Sequence, residues 1–284
     1  MTDDRYYVAA RSVLLDALED LAEHRDAIVV VGAQAVYLRS RAANVGVADY
    51  TTDGDLAVDS DRLADLPHLE EVMGARFSHS RASTGAEEPG VWTRTVQIDG
   101  EAIDIPVDLI VPEGIAPPGG TRGARLGPHG KRAARTAPGL EAAILDNDVL
   151  TITALDRDDT RRIDSKVAGP TALLIAKAHK IHDRLEHQAR PDRLIDKDAS
   201  DVYRLMLTTP TERINEVAAT LLADGRVAGS AERGIDLLRA QFGARRAPGV
   251  EMAVRALRVG VPEDRIRAVC VSFIAAVDAG RGFL

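Results

Sequence analysis

Apolar and polar positions recur with two periods along this chain, and the balance between them changes near residue 165. Residues 5–22 place Val8, Leu14, Leu15, Ala17, Leu18 and Leu21 at the spacing of an amphipathic helix. The run Ile28-Val29-Val30-Val31 reads as a short strand over 27–31. Gly32 follows and permits a tight turn, after which Ala35, Val36 and Leu38 begin a helix over 34–39. A loop at 44–50 leads into a strand over 53–59. Leu63, Leu66, Leu69 and Val72 predict a helix over 61–73, kinked or cut into two short pieces by Pro67. Residues 92–98 and 103–111 read as a hairpin about Asp99-Gly100, a two-residue turn pattern. Pro106 in the second arm marks an edge strand or a break. A short strand follows at 149–155, and from Pro170 helical spacing dominates over 170–189, 197–207, 211–223, 230–241, 248–259 and 263–278. The expected fold class is α+β, with an α/β domain built on a mixed sheet over 1–165 and a helical domain over 166–284.

Composition narrows this picture. The chain has 284 residues, 45% apolar and 28% charged, enough for two packed cores. Aromatic residues are only 4%, so the cores are aliphatic. Cys270, the single cysteine, lies in the apolar run Val269-Cys270-Val271-Ser272-Phe273-Ile274, which excludes an intramolecular disulfide and a cysteine-based zinc cluster. Met1-Thr2-Asp3-Asp4 lacks the basic and apolar regions of a signal peptide, and no apolar run approaches the roughly 18 residues of a membrane span. The expectation is a cytoplasmic protein with no membrane partner. A formal net charge of −8 argues against general attraction to nucleic acid. One stretch differs: between Glu113 and Glu141 there is no acid, while Arg122, Arg125, Lys131, Arg132 and Arg135 stand among glycine and proline. It reads as a solvated loop or as a flexible contact for phosphate or RNA.

Several features carry candidate chemistry. In Thr51-Thr52-Asp53-Gly54-Asp55-Leu56-Ala57-Val58-Asp59, the acids at 53 and 55 project from one face of an extended segment. Hard divalent cations bind through one or two carboxylates plus substrate phosphate oxygens, so the pair is either a metal seat or a solvated Asp-Gly turn. The strand, glycine and helix at 27–39 offer free backbone N–H groups to phosphate. Asp104 and Asp108 share one face of the second hairpin arm, as an ordinary solvent face or as a source of the third carboxylate that a metal pair needs. In the helix at 170–189, Lys177, Lys180 and Arg184 fall at i, i+3 and i+7, a stripe that is either a solvated face or a clamp on polyphosphate. Asp198 and Asp201 open the next helix, as stabilisers of its dipole or as partners of that stripe. His179, His182, His187 and Asp183 do not complete a tetrahedral metal site, and His182 has Glu186 as a pairing partner four residues on.

Taken in order, Gly32-Ala33-Gln34-Ala35, Thr52-Asp53-Gly54-Asp55-Leu56, Val107-Asp108-Leu109, Lys177 with Arg184 seven residues later, and Lys197-Asp198-Ala199-Ser200-Asp201 resemble the motifs of the AbiEii/AbiGii-type nucleotidyltransferases, the group that includes the MenT toxins. The resemblance covers residues 25–210. It implies a nucleotidyltransferase-like mixed β-sheet lobe followed by a helical C-terminal lobe, with an NTP between them. It implies Mg2+ on Asp53, Asp55 and Asp108, and catalytic roles for those three acids with Lys177 and Asp198. Nucleotide binding is implied for Gly32, Ala33, Lys177, Lys180 and Arg184. Ala33 stands where many nucleotidyltransferases have Ser or Gly, so only a backbone contact is inherited there. The implied reaction moves a nucleoside monophosphate from an NTP to an acceptor hydroxyl. By resemblance the acceptor is a tRNA 3' end, and the protein is the toxin of a toxin-antitoxin or phage-defence system with a cognate antitoxin. A small molecule such as an antibiotic, or a protein, is the alternative acceptor, and a non-catalytic nucleotide-binding regulator is the alternative class.

Overall fold

A computed structural model describes residues 2–43, 45, 50–119, 123–186 and 196–281; Arg122 of the basic stretch and His187 lie outside them. The chain divides into two compact units. One is made of residues 1–35, 49–137 and 147–168, the other of 36–48, 138–146 and 169–284.

The first unit is a helix-backed mixed sheet. Its strands are β1 (Ile28–Val31), β2 (Gly54–Val58), β3 (Ser78–Arg81), β4 (Glu87–Ile98), β5 (Glu101–Pro112), β6 (Arg135–Ala137), β7 (Asn147–Thr153) and β8 (Arg162–Ala168). They run in the order β3-β4-β5-β2-β1-β8-β7, with β6 beside β5. The β1-β8, β2-β5 and β5-β6 pairs are parallel, and the remaining pairs are antiparallel. β1 is buried along its whole length, which is why its sequence is an unbroken apolar run rather than an alternation. Helix α1 (Thr2–Asp20) packs on β2, β4, β5 and β8, with Ala10, Val13, Leu14, Leu15 and Ala17 fully buried.

Asp99 (φ 58°) and Gly100 (φ 83°) form the turn of the β4-β5 hairpin, both with the positive φ that a two-residue type I′ turn requires. Two local expectations are corrected. β5 runs unbroken between β4 and β2, so Pro106 marks neither an edge nor a break; it stands just outside the β2-β5 ladder, which begins at Val107 opposite Gly54. The helix expected over 61–73 is reduced to α3 (Leu69–Gly74). Pro67 lacks an N–H and disfavours helical geometry at the residue before it, so residues 61–68 are turns and bends.

Helix α2 (Gly32–Arg39) begins at the glycine that follows β1. The second unit is helical: α4 (Pro170–Glu186), α5 (Lys197–Thr208), α6 (Thr211–Ala223), α7 (Ala228–Phe242), α8 (Pro248–Leu257) and α9 (Glu263–Arg281). α4 packs against α5, α6 and α7, and α5 against α8 and α9. Asp146 fixes the start of α4: its carbonyl accepts from the Gly169 N–H at 2.7 Å and its carboxylate from the Ala172 N–H at 2.8 Å, satisfying donors that an open first turn leaves unpaired. Cys270 is fully buried in α9, and burial pushes its thiol up to about 12. The fold class is α+β with a mixed sheet. Among the described residues no helix is long and apolar enough to cross a membrane.

Candidate active site

Two acids meet on adjacent strands. β2 and β5 are parallel neighbours, and their register sets Asp55 opposite Asp108. Neighbouring strands lie ~4.8 Å apart and residues in register share a face, so both carboxylates leave the same side of the sheet. The opposite side is filled by the fully buried Leu56, Val107 and Leu109, which fixes that orientation. Asp104, on the same strand, is exposed and accepts from the Thr95 hydroxyl at 2.6 Å, an ordinary cross-strand contact.

On the other side of β2, the register with β1 sets Val31 opposite Asp55, and the chain then turns through Gly32 at φ +67° into α2. A Cβ on Gly32 would lie 1.9 Å from Asp55 Oδ2. The opening of α2 therefore lies directly against the Asp55 carboxylate, and only glycine fits there. Ala33, in the first turn, is buried and contributes no polar side-chain group.

Asp53 stands just before β2, and the Thr51 hydroxyl donates to its Oδ1. Its backbone is held by a buried polar chain absent from the expected site. Gln34 Nε2 donates to the Asp53 carbonyl at 3.3 Å, and Arg11 Nε donates to Gln34 Oε1 at 2.8 Å. Arg11 also donates to the Tyr7 hydroxyl at 3.0 Å and the Thr153 carbonyl at 3.1 Å. The signal for Arg11 is its place on the buried stripe of α1 with Tyr7, Ala10, Leu14 and Leu18, where a cation needs satisfied donors.

Asp108 has a cation of its own. Arg135, at the start of β6, donates to Asp108 Oδ2 from Nη2 at 2.6 Å and from Nε at 3.2 Å. Elsewhere in the basic stretch, Arg132 pairs with Glu87 at 2.5 Å, while Arg125 and Lys131 are exposed. Among the described residues no group of three or more His, Cys, Asp or Glu forms a metal cluster. The registered pair nevertheless fits Mg2+, which takes one or two carboxylates and fills its remaining positions with water and substrate phosphate oxygens.

The second set of site residues lies within the helical unit. Lys177 Nζ bonds Asp198 Oδ1 at 2.8 Å and Asp201 Oδ2 at 2.6 Å. Arg184 Nη1 bonds the other oxygen of Asp198, and Lys180 Nζ lies 3.8 Å from Asp198 Oδ1. Lys177 and Asp198 are each 4% exposed and Asp201 is fully buried, so this part of the stripe meets the acids of α5 instead of facing water; Lys180 is exposed. Burial pushes the Asp198 carboxyl up, but Lys177, Lys180 and Arg184 outweigh it and leave the group well below the usual carboxylate range. Burial likewise opposes the Lys177 charge, and Asp198 and Asp201 more than restore it, raising its pKa. Nearby, Lys197 and Arg204 lie over the Tyr37 ring at 5.9 and 5.5 Å from its centroid. His179 Nε2 lies 3.0 Å from the Ser230 carbonyl and His182 Nε2 3.1 Å from Arg233 Nη2, so both rings have structural partners.

Compared with family models, curated proteins and solved structures, the chain has no significant match to any.

The residues expected at the site thus fall into two sets, each inside one unit. Gly32, Ala33, Asp55 and Asp108 gather at the carboxyl end of β1, the start of β2 and mid-β5 in the first, with Asp53 just before β2; among the described residues the three acids do not form a metal-holding group. Lys177, Lys180, Arg184 and Asp198 join α4 to α5 in the second, with Asp201 as an added member. Arg11, Gln34 and Arg135 are the additions to the first set.

Proposed function

We propose that the protein is a Mg2+-dependent nucleotidyltransferase that moves a nucleoside monophosphate from an NTP to an acceptor hydroxyl. The observation that carries this reading is the registered pair of Asp55 and Asp108 with Gly32 seated against Asp55. Asp55 and Asp108 would hold Mg2+ with phosphate oxygens; Asp53, two residues before Asp55, is assigned to the metal by the resemblance alone. The N–H groups that open α2 have no partner within the helix and suit the β- and γ-phosphates. Bound Mg2+ supplies charge neutralisation at the phosphates. In the transfer, the acceptor oxygen forms a bond to the α-phosphorus while the bond from that phosphorus to the α,β-bridging oxygen breaks. Pyrophosphate leaves with the electron pair, and the hydroxyl proton passes to a carboxylate oxygen, a role for Asp108. Little covalent work falls to the protein, so placement and electrostatics account for catalysis.

The resemblance assigns phosphate contact to Lys177, Lys180 and Arg184 and an orienting role to Asp198. Asp198 and Asp201 take two of the three N–H donors of Lys177 Nζ, so this role uses the third or displaces one carboxylate. A tRNA 3' end is the proposed acceptor, supported by the resemblance and by the exposed Arg125 and Lys131 of the acid-free stretch. A toxin role with a cognate antitoxin belongs to the same proposal.

The test is incubation with Mg2+ and each α-labelled NTP in the presence of total tRNA, cell protein or aminoglycosides, with Asp55→Ala and Asp108→Asn as controls. Label on tRNA with the wild type alone supports the whole reading. Label only on a small molecule or a protein replaces the acceptor. No label on any acceptor, together with no Mg2+-dependent NTP binding, overturns the enzyme reading.

A further inference from the structure

Asp55 and Asp108 are like charges directly opposite each other on neighbouring strands, an arrangement that is destabilising unless a cation offsets it. Arg135 supplies one. Both of its bonds fall on Oδ2 of Asp108, unlike a fork-on-fork clamp that spreads over two carboxylate oxygens. The backbone of Arg135 is fixed: it pairs with Ile110 of β5 on one side and bridges to Gly123 on the other, and nearby the Gly90 N–H bonds the Arg132 carbonyl at 2.8 Å. Its side chain therefore reaches back along β5 from Ile110 to Asp108 from an anchored base. That side chain is 32% exposed, against 18% for Asp108, so the guanidinium has water to return to when it leaves. Partial exposure lets water screen the pair, so it holds less tightly than a fully buried one.

We propose, resting on the nucleotidyltransferase reading above, that Arg135 is an exchangeable counter-cation of Asp108: it neutralises the acid pair in the metal-free protein and yields Oδ2 when a divalent cation binds. Arg135 is thereby a positioning residue that sets metal affinity and keeps Asp108 oriented between turnovers.

The experiment is titration of the full chain with Mn2+, with free Mn2+ followed by electron paramagnetic resonance, for wild type, Arg135→Gln, Asp108→Asn and the double variant. Removing the competing cation is expected to tighten Mn2+ binding about three- to tenfold, the range set by exchanging a partly exposed ion pair. No gain is expected when Asp108→Asn is already present. Metal-free Arg135→Gln should melt below wild type, and saturating Mn2+ should close that gap. If Arg135→Gln folds poorly, Arg135→Lys serves, with an affinity between the two because a single ammonium still competes at Oδ2. Unchanged or weaker Mn2+ binding in the Arg135 variants, with wild type binding normally, overturns the counter-cation role and leaves the metal site standing. Absence of Mn2+ binding in every variant overturns both.

Discussion

Gly32 lies against the carboxylate of Asp55, with the position of a Cβ on Gly32 falling 1.9 Å from Oδ2 and 2.7 Å from Cγ. The same residue holds φ at +67°, a region unfavourable to residues with side chains. One glycine therefore sets both the entry into α2 and the place of a proposed metal ligand.

Gly32→Ala is expected to cost about 1–3 kcal/mol of stability, from backbone strain and the displaced carboxylate. Mn2+ binding should weaken in parallel. Gly74→Ala is the control, since nothing lies within 4 Å of a Cβ at Gly74; its effect should stay within about 0.5 kcal/mol. Denaturant unfolding of both variants reads the difference, and equal stabilities would show that the Asp55 side chain yields without cost.

Lys177 is held between Asp198 and Asp201 inside the helical unit. Lys177→Met leaves two buried acids facing each other and should destabilise by about 3–5 kcal/mol. The pH dependence has two sides. Asp198 is depressed in the fold, so its contribution is complete above the unfolded carboxylate pKa of about 4 and is lost as pH falls toward its folded value. Lys177 is raised, so its contribution is complete below its unfolded pKa of about 10.4 and is lost only as pH climbs beyond that. Stability from this cluster is thus flat across neutral pH. Urea midpoints from pH 3 to 8 should fall steeply only at the acid end for wild type, and that acid-end fall should shrink in Asp198→Asn.

The elements that read clearly from sequence are those whose cause is local. Asp99-Gly100 announces its turn because two positive φ angles need such residues, and the apolar run at β1 announces burial. β8 (Arg162–Ala168) and β3 (Ser78–Arg81) are not legible in the same way. Ser78-His79-Ser80-Arg81 is a polar strand at a sheet edge, and β8 is largely polar or charged until Val167 and Ala168. The acids of the site were visible as residue types in strands. Their pairing was not, because the register that sets Asp55 opposite Asp108 depends on a parallel contact between segments about 50 residues apart. Arg135 illustrates the same limit: nothing in an Arg-rich stretch says which cation reaches the strand and which ones face water.

Arg11 is 1% exposed and reaches Gln34, the Tyr7 hydroxyl and the Thr153 carbonyl. Arg11→Met strips donors from three acceptors at once, and loosens the Gln34 amide that holds the Asp53 carbonyl. A loss of about 2–4 kcal/mol is expected, the sum of several unsatisfied buried groups partly relieved by relaxation. Arg11→Lys should rescue little of it, since one ammonium lacks the planar fork that reaches three separated acceptors. Amide exchange at Asp53 and Asp55 should quicken in both variants. Protection unchanged at those two amides would separate Arg11 from the site and leave it a packing residue.

His129 packs edge-on against His24 at 5.6 Å and against His68 at 6.2 Å, and its Nδ1 accepts from the Leu69 N–H at 3.4 Å. Burial lowers its pKa first, and His24 and His68 lower it further against a smaller upward pull from Asp65. The folded protein therefore keeps this ring neutral to lower pH than the unfolded chain, which protonates it near pH 6.5. Stability contributed by the neutral ring is complete above about pH 6.5 and is lost as pH falls toward the folded pKa, the sign for a depressed group. Protonation also removes the acceptor lone pair at Nδ1, so the 3-10 turn Gly127–His129 should release from the start of α3 before the rest of the unit unfolds. Amide exchange over residues 123–134, corrected for intrinsic rate, should rise between pH 7.5 and 5.5 in wild type. In His129→Gln it should be already raised at pH 7.5 and nearly independent of pH, because the amide cannot titrate. A pH-dependent rise of equal size in that variant would assign the proton to another group and detach His129 from the anchoring of this stretch.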